Sequence, residues 1–170
     1  MKGADHALAS KRVAEYLVGE GGSPGAVSLI TGLPGRFVNR LARERRARPL
    51  MRGSVTGRIW ASDTGAMQAT IFGLCLRRER RTAAERTEME VFFAAYRLFS
   101  VLRKGIFGAG QFRFTPDEAL EVVRVEDASR VVEYRCRHCD GVFWLERDRV
   151  RRLCPICNQP HGSPAVTKVA

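Results

Sequence analysis

The chain has 170 residues, 29 lysines and arginines against 18 acidic residues, and a net charge of +11 with a pI near 10.3. That length holds one respectable core plus a small appendage, not two full domains, and the charge favours polyanionic partners. No run approaches the roughly 18 to 20 apolar residues of a membrane span, the N-terminus lacks a signal-peptide core, and cysteine usage does not suggest a disulfide framework. The expectation is a cytoplasmic protein with no membrane partner.

In chain order, Leu8, Val13, Tyr16 and Leu17 recur at near-helical spacing, predicting a first helix from Asp5, as a cap, to Gly19. GGSPG then breaks the chain, with Ser23 as N-cap and Pro24 in the first helical position. AVSLIT is interrupted by TGLPG, and a longer helix, RFVNRLARERRAR, runs from Arg36 to the residue before Pro49. Together these segments, about 24–46, have the layout of a helix-turn-helix. Ser28 is small enough for the crossing of the two helices, Gly32 lies in the turn, and Val38 and Leu41 anchor the second helix. Val27, Ile30 and Leu33 fill the space between. Arg36, Asn39, Arg40 and Arg43 then fall on the outer face, where guanidinium forks and an amide can reach base edges or phosphates, and Arg45 and Arg46 continue the set of candidate DNA contacts.

Seven arginines and one acid, Glu44, lie between Arg36 and Arg52, a local balance of +6 out of +11. Clustered cations are what phosphate neutralisation needs. The plainer alternative is an ordinary helical hairpin with a solvated basic face.

Residues 49–65 read as a loop. AMQATIFGLCL is apolar enough for a buried helix that makes Cys75 a buried thiol, and LRRERRTAAERTEME, charged on all sides, reads as a solvated turn or helix surface. The next helix places Met89, Phe92, Tyr96, Phe99 and Leu102 on one stripe, widened by Phe93, Leu98 and Val101. So wide a stripe serves either the chain's own core or a partner helix. LRKGIFGAGQFRF reads as a glycine-punctuated connector; Thr115, Pro116 and Glu118 open a further helix to about Glu126; Val131 and Val132 begin a strand.

Cys136 and Cys139, then Cys154 and Cys157, form two C-x2-C pairs separated by fourteen residues. Two short turns, each presenting two thiolates, suit a tetrahedral Zn²⁺, with a hairpin between them. A redox dithiol would open a helix in a βαβ setting, which is missing before Cys136. With four thiolates available, His138 and His161 are not needed as ligands, and a filled tetrahedron leaves no position for a reacting water. One structural zinc and no catalytic residues are therefore expected. Phe143 and Trp144 read as the ribbon's small core, with stacking on bases as the other use open to them. The arginines at 147, 149, 151 and 152 leave a second possibility, a zinc-ribbon adaptor or nucleic-acid-binding module whose ribbon makes the contact.

The expected fold is thus mainly α: a helical domain over 1–126 containing the helix-turn-helix, a four-cysteine zinc-ribbon-like element over 127–160, and a disordered tail over 161–170. From Ala26 to Pro160 the elements resemble, in order, those of the flagellar transcriptional activator FlhC family. The resemblance is carried by GAVSLITGLPGRFVNRLARERRARP, AMQATIF, AAYRLF, ALEVVRVEDASRVVEYRCRHCDGVF and CPIC. It implies a protein without enzymatic activity that binds double-stranded DNA with an FlhD-like partner as a hetero-oligomer, with RNA polymerase as a further partner, and activates flagellar promoters. It also implies that Cys136, Cys139, Cys154 and Cys157 bind zinc. Trp60 stands alone where that family carries closely spaced tryptophans, and the tail holds only Lys168 as a basic residue, so a paralogue regulating non-flagellar genes is the neighbouring possibility.

Overall fold

The structure is a computed structural model that describes residues 2–45, 59–82, 85–107, 114–147 and 153–159. It is mainly helical. In chain order come α1 (Lys2–Gly19), α2 (Pro24–Thr31), α3 (Gly35–Glu44), α4 (Asp63–Thr82), α5 (Glu88–Phe107), α6 (Pro116–Asp127) and the hairpin β1 (Val131–Arg135) and β2 (Val142–Glu146). No described helix is long and apolar enough to cross a membrane.

The helix ends follow local chemistry. Ser23 caps α2, its hydroxyl accepting the Ala26 N–H at 3.2 Å, with Pro24 in the first turn. Thr115 and Glu118 form a reciprocal capping box on α6. Gly22 has no room for a side chain: a Cβ there would lie 2.9 Å from both the Leu17 carbonyl oxygen and Val27 Cγ2.

α4 and α5 pack side by side around Phe72, which is fully buried. The rings of Phe92, Tyr96, Phe99 and Phe114 all lie within 5.7 to 6.3 Å of its centroid. Such edge and tilted pairs add about 0.5 to 1.5 kcal/mol each beyond area burial. The Tyr96 hydroxyl donates to the Phe114 carbonyl at 2.7 Å, so the one polar tip in this cluster is satisfied. Cys75 is buried here, as its apolar setting predicts.

The hairpin is antiparallel, with Glu133 opposite Trp144 and Tyr134 opposite Phe143. Successive strand residues point to opposite faces. Phe143 and Leu145 join Ala66, Cys136 and Cys154 in a small cluster, while Trp144 enters the main core. Trp144 is therefore not part of a separate ribbon core. Its backbone N–H donates to Thr70 Oγ1 at 2.8 Å, and its ring lies against Gly73, where a Cβ would meet Trp144 Cζ3 at 1.9 Å. The cysteine-bearing element and α4 thus share one packing surface across the boundary at 127.

Several boundaries differ from expectation. α1 is already helical at Asp5, so Asp5 is not its cap. α3 spans Gly35–Glu44 with Arg45 as C-cap, and the rest of the expected helix, 46–48, lies outside the described residues. α4 begins at Asp63, inside the segment read as loop, and α5 runs through the first half of the expected glycine connector to Phe107. The charged run after Leu76 is only partly solvated. The Arg77 guanidinium lies 4.0 Å from the Trp144 ring centroid and bonds Glu126 at 2.7 Å and Glu133 at 3.0 Å. Arg80 reaches Asp127 at 3.0 Å. Two arginines of α4 thereby hold α6 and β1. The expected tail at 161–170 lies outside the described residues.

Candidate metal centre and basic helix

The two cysteine pairs sit on two turns with the same backbone. In the first, the Asp140 N–H donates to the Cys136 carbonyl at 2.8 Å and the Cys136 N–H to the Gly141 carbonyl at 2.9 Å. In the second, the Asn158 N–H donates to the Cys154 carbonyl at 2.9 Å and the Cys154 N–H to the Gln159 carbonyl at 2.8 Å. Asp140 and Asn158 both adopt φ of 56°, a left-handed conformation that Asp and Asn tolerate better than most residues. An Asp or Asn directly after each C-x2-C is thus a signal that the sequence carries and that spacing alone overlooks.

This turn aims amide hydrogens at sulfur. The His138 N–H points at Cys136 Sγ and the Ile156 N–H at Cys154 Sγ, each at 3.4 Å. The Cys139 and His138 amides hold the Cys136 thiol down at about 6, while burial pushes the Cys154 thiol up. Sγ–Sγ distances are 3.7 Å for Cys136 and Cys157 and 4.0 Å for Cys139 and Cys154, and all four sulfurs lie within 4.8 Å of one another. A disulfide would need about 2.05 Å. Four sulfurs at about 2.3 Å from one ion would stand roughly 3.8 Å apart, so this set fits a single tetrahedral metal ion. The turns also interlock, since a Cβ at Gly141 would meet Ile156 Cδ1 at 2.6 Å. His138 is exposed and contributes its backbone, not its ring, to the described contacts at sulfur; His161 lies outside the described residues.

The segments read as a helix-turn-helix form α2 and α3, joined by a three-residue turn. Gly32 caps α2 at φ of 68°, and its N–H donates to the Ser28 carbonyl at 2.9 Å. The Ser28 hydroxyl turns back onto the Leu33 carbonyl and that of Thr31 onto the Val27 carbonyl, so the three-residue turn satisfies its own polar groups. Val27 and Val38 are fully buried and Leu41 nearly so, with Ile30 and Leu33 packed beside them. α1 packs against both helices.

Burying Val38 and Leu41 turns Arg36, Asn39, Arg40 and Arg43 outward, where all four are exposed. Among the described residues no carboxylate pairs with Arg36 or Arg43; Arg40 has only a 3.7 Å, well-exposed pairing with Glu44. Arg45 stands at the flank, its Nη2 2.9 Å from Glu15 Oε2 on α1. Arg46 lies outside the described residues, as do the arginines at 149, 151 and 152. Phe143 and Trp144 have no exposed surface, so neither can serve as a stacking platform for bases.

No protein-family model matches the chain, and no curated protein matches it.

Proposed function

We propose that the protein is a DNA-binding transcriptional activator that presents Arg36, Asn39, Arg40 and Arg43 to duplex DNA, with one structural Zn²⁺ held by Cys136, Cys139, Cys154 and Cys157. The observation that carries it is the cationic outer face of α3, backed by buried Val38 and Leu41 and set behind a three-residue turn with left-handed Gly32. A helix so anchored can enter a major groove, with arginine forks on guanine and an amide on adenine. Four thiolates account for every position of a four-coordinate ion, which suits a structural role.

The resemblance to the FlhC family supplies the finer proposal: a cytoplasmic protein acting on flagellar promoters in a hetero-oligomer with an FlhD-like partner and meeting RNA polymerase there. A partner surface is supported by α5, whose aromatic half is core but whose Val101, Leu102 and Ile106 are 69%, 40% and 56% exposed. With half-buried Leu98 they form a stripe at helical spacing.

The test is fluorescence anisotropy of the full chain, alone and with the co-expressed partner, on flagellar promoter duplexes and mixed-sequence DNA. Binding should fall steeply with salt. Arg40→Ala should cost about 1 to 3 kcal/mol if Arg40 reads a base bidentately. A complex indifferent to both salt and Arg40 would count against the proposal.

The ribbon-adaptor alternative has one observation in its favour: Leu153 and Ile156, at the second cysteine turn, are 41% and 45% exposed. It would be preferred if Ile156→Ala abolished a protein contact while α3 variants left all binding intact.

A further inference from the structure

We infer that Lys11, on α1, is a phosphate-contacting residue of the same DNA interface, extending it from α3 onto a neighbouring helix; this rests on the proposal that α3 binds duplex DNA. Lys11 is exposed, and its Nζ lies 6.0 Å from the centroid of the half-buried Phe37 ring. The same ring carries the Arg40 guanidinium at 5.5 Å. Phe37 is thus a shared rest for one cation from each helix, and it fixes Lys11 beside the first half of α3 instead of leaving it on the far side of α1.

One turn further along α1, Glu15 bonds Arg45 at 2.9 Å. That pair fixes the relative placement of the helices and divides the flank by charge. At the C-terminal end of α3, Arg45 is neutralised by Glu15, and Glu44 lies 3.7 Å from Arg40 in a well-exposed pairing. Toward the N-terminal half, Lys11 and Arg40 share the Phe37 ring with Arg36 one turn before Arg40, and among the described residues no carboxylate pairs with Lys11 or Arg36. The N-terminal half of a recognition helix is the part that reaches base edges. A lysine set beside that half on a second helix is suited to the flanking phosphate as a point charge, without sequence preference. With its Nζ already lying over Phe37, the side chain is partly placed before DNA arrives, which reduces the entropy lost on contact.

The experiment measures binding of the full, zinc-loaded chain to a mixed-sequence duplex and to A·T-rich and G·C-rich duplexes over a series of NaCl concentrations. Lys11→Gln should reduce the slope of log K against log salt by about 0.9, the value for one phosphate contact, and weaken all three duplexes alike. Lys11→Arg should keep the slope. If Lys11→Gln leaves the slope unchanged while Arg40→Ala alters binding, α3 binds DNA and the assignment of Lys11 is wrong. If Lys11→Arg loses the slope as Lys11→Gln does, packing on Phe37 is responsible and the assignment is again wrong. If the unaltered chain binds none of the duplexes, the DNA-binding proposal itself fails and the assignment falls with it.

Discussion

Asp117 clasps Ser23 across 94 residues of sequence: one carboxylate oxygen accepts the Ser23 hydroxyl and the other its backbone N–H at 2.7 Å. Ser23 is the N-cap of α2 and Asp117 sits in the first turn of α6, so one carboxylate faces two helix N-termini, where negative charge is favoured. The α2–α3 pair is fastened to α6 at this point.

Asp117→Ala should therefore destabilise the fold by about 1.5 to 3 kcal/mol, the range for hydrogen bonds to a charged group. Ser23→Ala should cost about 1 kcal/mol or more, since it loses the cap and one of the two bonds to Asp117. Urea unfolding of both single variants and the double variant gives the coupling. A strictly additive double variant would show that the two residues act independently.

Gly73 and Gly105 are both helical glycines with opposite surroundings. A Cβ at Gly73 would meet the Trp144 ring at 1.9 to 2.6 Å, and one at Gly105 meets nothing within 4 Å. Gly73→Ala should cost about 1 to 3 kcal/mol or more, because the Trp144 ring must move. Gly105→Ala should stabilise by roughly 0.5 to 1 kcal/mol, since alanine restricts the unfolded chain and favours the helix. Thermal melts of the two variants should shift in opposite directions.

Arg77 holds its guanidinium 4.0 Å from the Trp144 ring centroid and bonds Glu126 and Glu133. A lysine supplies the charge but neither the plane nor the fork. Arg77→Lys should thus lose much of what Arg77→Ala loses, of order 1 to 3 kcal/mol, with the near-ultraviolet dichroism of Trp144 altered in both. Full recovery of stability and spectrum by lysine would mean that charge alone holds the seam.

The contrast between these sites explains what the sequence made legible. The turn at Gly32, the cap at Ser23 and the capping box at Thr115 depend on residues within a few positions of one another, so local pattern finds them. The four-cysteine set was legible because C-x2-C is itself a local turn. Arg77 and Arg80 looked solvated because the acids they hydrogen-bond lie 46 to 56 residues away, and nothing local marks the pairing. The ribbon's burial against α4 left one overlooked sign: Val142, Phe143, Trp144 and Leu145 are apolar in succession, which is the pattern of a strand covered on both faces. The outer end of α5 had two open readings because periodicity finds an apolar stripe without saying what covers it.

Burial of Cys75 within α4 pushes its thiol from 9.0 up to about 11. The unfolded chain loses this proton near pH 9 and the folded chain near pH 11, so between those values the folded state binds more protons. The Cys75 contribution to stability is complete below about pH 9 and is lost as pH rises toward 11. At about pH 8, alkylation of Cys75 in the folded, metal-loaded protein should be far slower than in urea, followed by mass spectrometry. Equal rates in the two states would contradict the buried thiol.

Metal loss should be felt beyond the hairpin. Cys136 and Cys154 are buried with Phe143 and Leu145, and Trp144 between those two residues is wedged against Gly73 of α4. If the four cysteines hold an ion as proposed, withdrawing it would leave up to four thiolates in the same small volume, and the turns that carry them would lose what joins one to the other. Treatment with a strong chelator should release one Zn²⁺ per chain, lower the melting temperature, and change the Trp144 signal together with the helical signal. Cys154→Ser should lower folded yield more than Cys139→Ser, since Cys154 is fully buried and Cys139 is exposed. Any loss of DNA binding should track the unfolded fraction, because the α3 face is built from other residues. A Cys154→Ser chain that melts like the unaltered protein would show that the four cysteines do not hold the fold together.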